Sequence, residues 1–279
     1  TPFDLPVFLF ALVLFLSSFL SVNRTDSLIS FIPLLYAVLL YFVIVNVVRG
    51  KKGIMVICGA LITGTVLASI LSILSFIKIY ALPFPYTHVQ FFTPLGSLLD
   101  QALILGAVLP LAAYLTHPVF SAIVLHGKAE GASVKKLETH NMLFGIGFIL
   151  MTLGLIVTLL QLMTTQTPLI LPFWEGFRTA LGSISRDTAR SLQSFLFGSG
   201  YGTYLTDFTR FKEASYNANP KLWSFSFFRS STYFFELLAT AGFLGVLSYA
   251  FIIYKVVKER WFFLSLVFIF LGSFFLPFS

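Results

Sequence analysis

The chain has 279 residues, of which 57% are hydrophobic, 17% aromatic and only 10% charged, with 18 Lys and Arg against 11 Asp and Glu and a mean hydropathy of +0.92. A soluble domain carries about 25% charged residues, so a water-soluble enzyme or a nucleic-acid-binding domain is excluded. The composition reads as an all-α, polytopic helical membrane protein.

Crossing a hydrocarbon core of about 30 Å takes about 20 apolar residues as helix. In chain order seven such runs stand out, at 5–22, 28–48, 54–79, 99–116, 142–163, 232–254 and 261–278, the first and last marginal in length. The apolar stretch 117–127 is too short to cross and reads as a re-entrant or interfacial piece. The opening run has no basic residues before it and no small-residue cleavage site, so it is not a cleavable signal peptide. The chain starts at Thr1 and ends in an apolar run, both ends reading as cut, so a longer membrane protein is expected. Cys58 is the single cysteine and forms no intrachain disulfide.

Cationic connections stay in the cytoplasm. Arg49, Lys51 and Lys52 follow the second run, Lys128, Lys135 and Lys136 precede the fifth, and Lys255, Lys258 and Arg260 follow the sixth. With seven spans these clusters share one side, which places the amino terminus in the cytoplasm and the long connection 164–231 outside. That connection carries Arg178, Arg186, Arg190, Arg210, Lys212, Lys221 and Arg229 against Glu175, Asp187, Asp207 and Glu213, a cationic excess on the face where the rule predicts none. Loops beyond about 60 residues escape the rule. The expected organisation is one transmembrane domain, 1–279, with this single extracytoplasmic loop.

Within the loop, Phe177, Leu181, Ile184, Thr188, Leu192 and Phe195 recur at helical spacing, and Arg178, Arg186 and Arg190 fall on one arc. A basic amphipathic helix near 174–196 is expected, lying at the interface with cations toward anionic head groups or a lipid-linked phosphate. An ordinary surface helix would show the same pattern. FGSGYGTY (197–204) follows. It lacks the Lys-Ser/Thr of a nucleotide loop and no strand precedes it; Gly198, Gly200 and Gly202 either make a tight turn or let backbone N–H groups approach an anion. Ser230 or Ser231 can cap the sixth span, Arg229 lies just outside it, and Glu236 about one turn inside. An ionisable group at that depth is a functional candidate, an ion pair with a neighbouring arginine being the plainer alternative. Asp100 begins the fourth span, and His88, His117, His126 and His140 make no metal-ligating spacing, so no metal site is expected. Asn23-Arg24-Thr25 matches a glycosylation sequon in a loop too short to be modified.

The order PFWEGFRTAL, GSGYGTY, YNANPKLW and then a span containing AGFLG, with an opening TPFDLPVFLF…LSSFLSVNRTDSL, resembles the O-antigen ligase / O-antigen polymerase family of bacterial glycan-assembly membrane proteins. The resemblance is most specific over 172–245 and 3–28. It implies a multi-pass protein of the bacterial cytoplasmic (inner) membrane and glycosyl transfer on its outer face. The donor would be a glycan on undecaprenyl (polyprenyl) diphosphate and the acceptor a hydroxyl on a lipid or growing glycan, with no cofactor, no metal and no nucleic acid. The position where ligases carry a His-Asn pair reads Arg229-Ser230-Ser231-Thr232 here, which leans toward polymerase. A diphosphate leaving group gains negative charge that preorganised arginines would stabilise. Arg178 and Arg229, with Glu236 as proton acceptor, are the expected catalytic residues; Arg186, Arg190, Gly198, Gly200 and Gly202 are the expected substrate-binding residues. A transporter or flippase of lipid-linked anionic sugars, and a membrane scaffold, are the alternatives.

Overall fold

Long runs of Leu, Ile, Val and Phe, short of polar residues that would compete for backbone hydrogen bonds, give helices throughout. The computed structural model describes residues 1–48, 50–116, 134–164, 170–187, 190–220, 223–259 and 263–276. In order the helices are α1 (Asp4–Phe19), α2 (Arg24–Val47), α3 (Gly50–Phe76), α4 (Leu98–Thr116), α5 (Val134–Thr164), α6 (Phe173–Ser185), α7 (Ser191–Phe197), α8 (Tyr204–Phe211), α9 (Ala214–Ala218), α10 (Tyr233–Glu259) and α11 (Phe263–Phe275). No strand occurs among the described residues.

Five of the seven expected runs form helices long and apolar enough to cross a membrane: Arg24–Val47, Lys52–Phe76, Leu98–Leu115, Gly145–Thr164 and Tyr233–Lys258. The first run folds as a helix of 16 residues, and the described part of the last as one of 13. At 1.5 Å per residue 16 residues fall short of ~30 Å. The stretch 117–127, with His117, His126 and Lys128, lies outside the described residues, as do Arg49, Lys221 and Arg260. Along α2 the side chains of Tyr36, Leu39, Leu40, Val43 and Val47 are exposed. A face that apolar suits lipid, and the protein is a membrane protein.

One domain was expected; the chain divides into two compact units, Thr1–Val47 with Thr167–Trp261 and Phe270–Ser279, and Val48–Gln166 with Phe262–Ile269. In the second unit α3, α4 and α5 enclose Ile62, Leu105, Val108, Ala112, Leu115 and Met151. A polar seam runs beside this core: Gln101 Nε2 donates to Ser72 Oγ at 2.6 Å and Thr158 Oγ1 at 3.0 Å. Asp100 accepts the hydroxyl of Ser97, whose Oγ in turn accepts the Asp100 backbone N–H, so this carboxylate serves the start of α4. His88 is exposed and stacks on Tyr80.

In the first unit α1, α2 and α10 pack around Phe10, Leu14, Phe31, Leu237, Ala241 and Tyr249. A second core of Leu171, Ala180, Tyr204, Phe208, Tyr216, Phe227, Phe235 and Ala239 joins α6, α8 and α9 to α10. Its rings meet edge to face, Phe208 lying 5.1 Å from Tyr216 and 5.9 Å from Phe227, a geometry that adds about 1 kcal/mol per pair. The described part of 164–231 is therefore a folded helical layer around an aromatic core.

Two local expectations are corrected. The single helix near 174–196 is two, α6 and α7, separated by residues 186–190. Ser185 and Asp187 favour caps and turns over helix interiors, and Arg190 occupies the N-cap of α7. The buried face is also not the apolar one. On α6 the buried residues are Gly176, Thr179, Ala180, Gly182 and Ser183, while Phe173, Trp174 and Leu181 are exposed. Small residues facing protein and large apolar ones facing outward is the membrane-type pattern, since lipid solvates Phe and Leu as well as a core does.

Candidate functional site

Helix α10 is not continuous. Gly242 has φ 66° and ψ −163°, a conformation open to glycine that interrupts the helix inside a span-length segment. Such a break frees carbonyls, and an unpaired carbonyl at membrane depth costs several kcal/mol. The glycine loop satisfies them. Ser199 N–H donates to Ala239 C=O at 3.1 Å and Gly200 N–H to Thr240 C=O at 2.9 Å. Ser17 Oγ donates to Thr240 C=O at 2.7 Å and Ser183 Oγ to Ala239 C=O at 3.0 Å.

The far side of the loop is held by the α1–α2 turn. Val22 N–H and Ser21 Oγ both donate to Ser199 C=O at 2.9 Å, and Ser27 Oγ to Tyr201 C=O at 2.7 Å. Added Cβ atoms show the closeness: at Gly198 one would stand 2.4 Å from the Thr240 carbonyl carbon, at Gly200 2.0 Å from Ser21 Oγ, and at Gly202 2.3 Å from Ser30 Cβ. All three glycines have positive φ. The N–H groups of Gly198, Ser199 and Gly200 are all committed to backbone carbonyls. Gly198 and Gly200 thus join the loop to the break in α10, and Gly202 packs against Ser30 of α2.

At the start of α10 a second group of polar residues converges. Thr232, not Ser230 or Ser231, is the cap: its Oγ1 accepts the Phe235 N–H at 3.2 Å. The Tyr233 N–H donates to Leu276 C=O at 3.0 Å. Relieved of capping, Ser230 and Ser231 bury their hydroxyls without partners, as do Tyr204 Oη and Glu236 Oε2. Tyr204 Oη lies beside the Ser230 and Thr179 hydroxyls, and Gly176 on α6 brings its backbone against both serines. The Ser230 N–H lies against the Glu236 carboxyl. Arg229 is exposed at the edge, close enough for its charge to act on Glu236 and on Tyr201. Burial first, and the Glu236 charge second, raise the Tyr201 phenol, with Arg229 opposing. Burial likewise raises the Tyr204 phenol.

Arg229 and Glu236 are therefore neighbours, with Tyr201, Tyr204, Ser230 and Ser231 around them. Arg178 has another partner: it pairs with Glu213 and its guanidinium lies 5.2 Å over the Trp174 ring. Arg186 is exposed at the end of α6. Arg190 caps α1, donating to Leu20 C=O alongside Gln193, whose Nε2 donates to the same oxygen at 2.9 Å. Among the described residues no three His, Cys, Asp or Glu side chains gather as metal ligands would.

Asp207, in α8, is in sequence only one charge among the loop's acids, yet it is fully buried. Ser199 Oγ donates to its Oδ2, and Oδ1 has no partner. Burial pushes its carboxyl up to about 7, against the Ser199 hydrogen bond and the Arg210 charge, which lower it. The sequence signal was slight: one acid in an otherwise neutral YLTDF, four residues after Thr203, the N-cap of α8. Comparison of the chain with family models, with curated proteins and with solved structures returns no match in any of the three.

Proposed function

We propose that this protein is a glycosyltransferase of the O-antigen polymerase or ligase type, acting at the outer face of the bacterial cytoplasmic membrane on a polyprenyl-diphosphate-linked glycan. What supports the reading is the cluster at the start of α10: a guanidinium at the edge, a carboxylate just inside, and buried hydroxyls without partners beside them. The acceptor hydroxyl oxygen forms a bond to the anomeric carbon as the bond from that carbon to the diphosphate oxygen breaks. The hydroxyl proton passes to Glu236, and the diphosphate leaves with the bonding electrons. Arg229 stabilises the charge that gathers on the diphosphate, with a planar fork that grips phosphate oxygens in pairs. Arg178, held by Glu213 and Trp174, is a second cation on the same layer.

Purified protein in liposomes with lipid-linked oligosaccharide tests this. Polyprenyl diphosphate should accumulate as product forms, and Arg229→Ala, Arg178→Ala and Glu236→Gln should each reduce turnover ~100-fold, the size expected for one transition-state contact. Unchanged turnover in Arg229→Ala and Glu236→Gln would remove the reading. A transporter of lipid-linked anionic sugars is the second reading, favoured by the interruption of α10 at Gly242, since broken membrane helices often border transport sites. Passage of labelled lipid-linked sugar across vesicles with its diphosphate bond intact would select it.

A further inference from the structure

The oxygens around Ser199 outnumber the protons available to them. Its Oγ lies within hydrogen-bond reach of Asp207 Oδ2, of Thr203 Oγ1 at 3.1 Å and of Ala239 C=O at 3.4 Å. Thr203 Oγ1 gives its proton to Gly200 C=O at 2.6 Å, and Ser183 Oγ, which also lies by Asp207, gives its own to Ala239 C=O at 3.0 Å. Three hydroxyl protons thus serve two carbonyls and a carboxyl group, and Asp207 Oδ1 is left with none. Asp207, Ser199 and Ser183 are each at least nine-tenths buried, so water does not compensate. The Ala239 and Thr240 carbonyls at the end of the first half of α10 add the negative pole of a helix.

The connection after α6 brings Asp187 and α8 brings Arg210, which pair at 3.7 Å; α6 brings Ser183, α8 also Tyr204, and α10 the Ala239 carbonyl. One guanidinium set between two carboxylates leaves the pocket one positive charge short.

We propose that Asp207 is a proton-binding site whose neutral acid latches the glycine loop into the break of α10. With the proton on, the Asp207 hydroxyl and Ser199 share one network, and Ser199 and Gly200 hold the carbonyls of Ala239 and Thr240. When the proton leaves to water, a buried carboxylate is left beside Ser199 and Ser183, whose other acceptor is the Ala239 carbonyl, and the network loses its donor. The loop then lifts from α10, which places proton occupancy in control of the helix break, whatever substrate the protein handles. The elevated carboxyl of Asp207, at about 7, sets the range in which this happens.

A group whose folded value lies above its unfolded one favours the fold most at low pH, and that advantage fades as pH rises from about 4 toward 7. The experiment follows hydrogen exchange of peptide 198–204 in wild type and Asp207→Asn between pH 5 and 8.5, corrected for intrinsic exchange, with α4 peptides as internal reference and with sodium or choline chloride at equal ionic strength. The expected result is a progressive loss of protection in wild type from pH 5 to about 7, level above it and confined to the loop and the α10 break. In Asp207→Asn, which keeps an acceptor and adds a donor, protection stays flat. If the variant does not fold, wild type alone decides: a pH response equal in 198–204 and α4 overturns the latch. The same pH response in Asp207→Asn also overturns it. Protection restored at high pH by sodium but not choline assigns the site to sodium and overturns the proton.

Discussion

Arg229 and Glu236 illustrate how much a residue's meaning depends on its neighbours. Both stood out in sequence because ionisable groups are rare near a span. Their company did not, because Tyr201 and Tyr204 arrive from a stretch about 30 residues earlier and Ser230 and Ser231 read as caps. Thr232 takes the cap, and the serines are left as buried hydroxyls without partners. Ser230→Ala and Ser231→Ala test this. Removing an unpartnered buried hydroxyl leaves no acceptor stranded, so each should leave thermal stability within about 1 kcal/mol of wild type while lowering turnover on a hydroxyl acceptor. Arg178 makes the opposite case, since its pair with Glu213 is about a third exposed on both sides. Glu213→Gln should change stability by less than about 1 kcal/mol, read as melting temperature in detergent. Arg190 serves the last turn of α1, a role that spacing within one helix could not reveal.

At the scale of elements, the central feature is a helix broken at Gly242 and repaired by a loop about 40 residues upstream in sequence. Gly242→Ala would place a Cβ 2.6 Å from the backbone nitrogen of Gly198, and Gly200→Ala one 2.0 Å from Ser21 Oγ, both at positive φ. Steric overlap and left-handed strain together should cost about 3 kcal/mol or more in each, seen as a lower melting temperature and loss of protection in 198–204. Gly64→Ala on α3 is the control: nothing lies within 4 Å of its added Cβ. It should be neutral or stabilising by up to about 1 kcal/mol, because alanine is the better helix former. The glycine run was visible in sequence; its partner was not, because glycines that pack and glycines that bind anions look alike until the atoms beside them are known. Helix α6 shows the same limit, its Phe173, Trp174 and Leu181 facing outward and its Gly, Ala, Ser and Thr forming the packed side.

For the whole molecule, five span-length apolar helices and broad exposed apolar faces require a lipid or detergent phase. The proposed topology places 164–231 outside the cell. In a Cys58→Ala background, Ser224→Cys, at an exposed position after α9, should react with a membrane-impermeant maleimide in intact cells. Reaction only after lysis would put the cluster at the start of α10 on the cytosolic side and remove glycan transfer on the outer face.

Composition alone established helices and a membrane, because 10% charge cannot solvate a chain this apolar. The length of the apolar runs placed the five span-length helices to within a few residues, since the length of a membrane helix is set by the bilayer and is written locally. Tertiary structure decided the rest: that the first run is short, that the described part of 164–231 is folded, that the glycine run sits against a broken helix, and that Asp207 is buried beneath it. Those outcomes depend on hydrogen bonds between residues far apart in the chain. A lone acid, a glycine or a serine has no local pattern that says which distant carbonyl or hydroxyl it will meet.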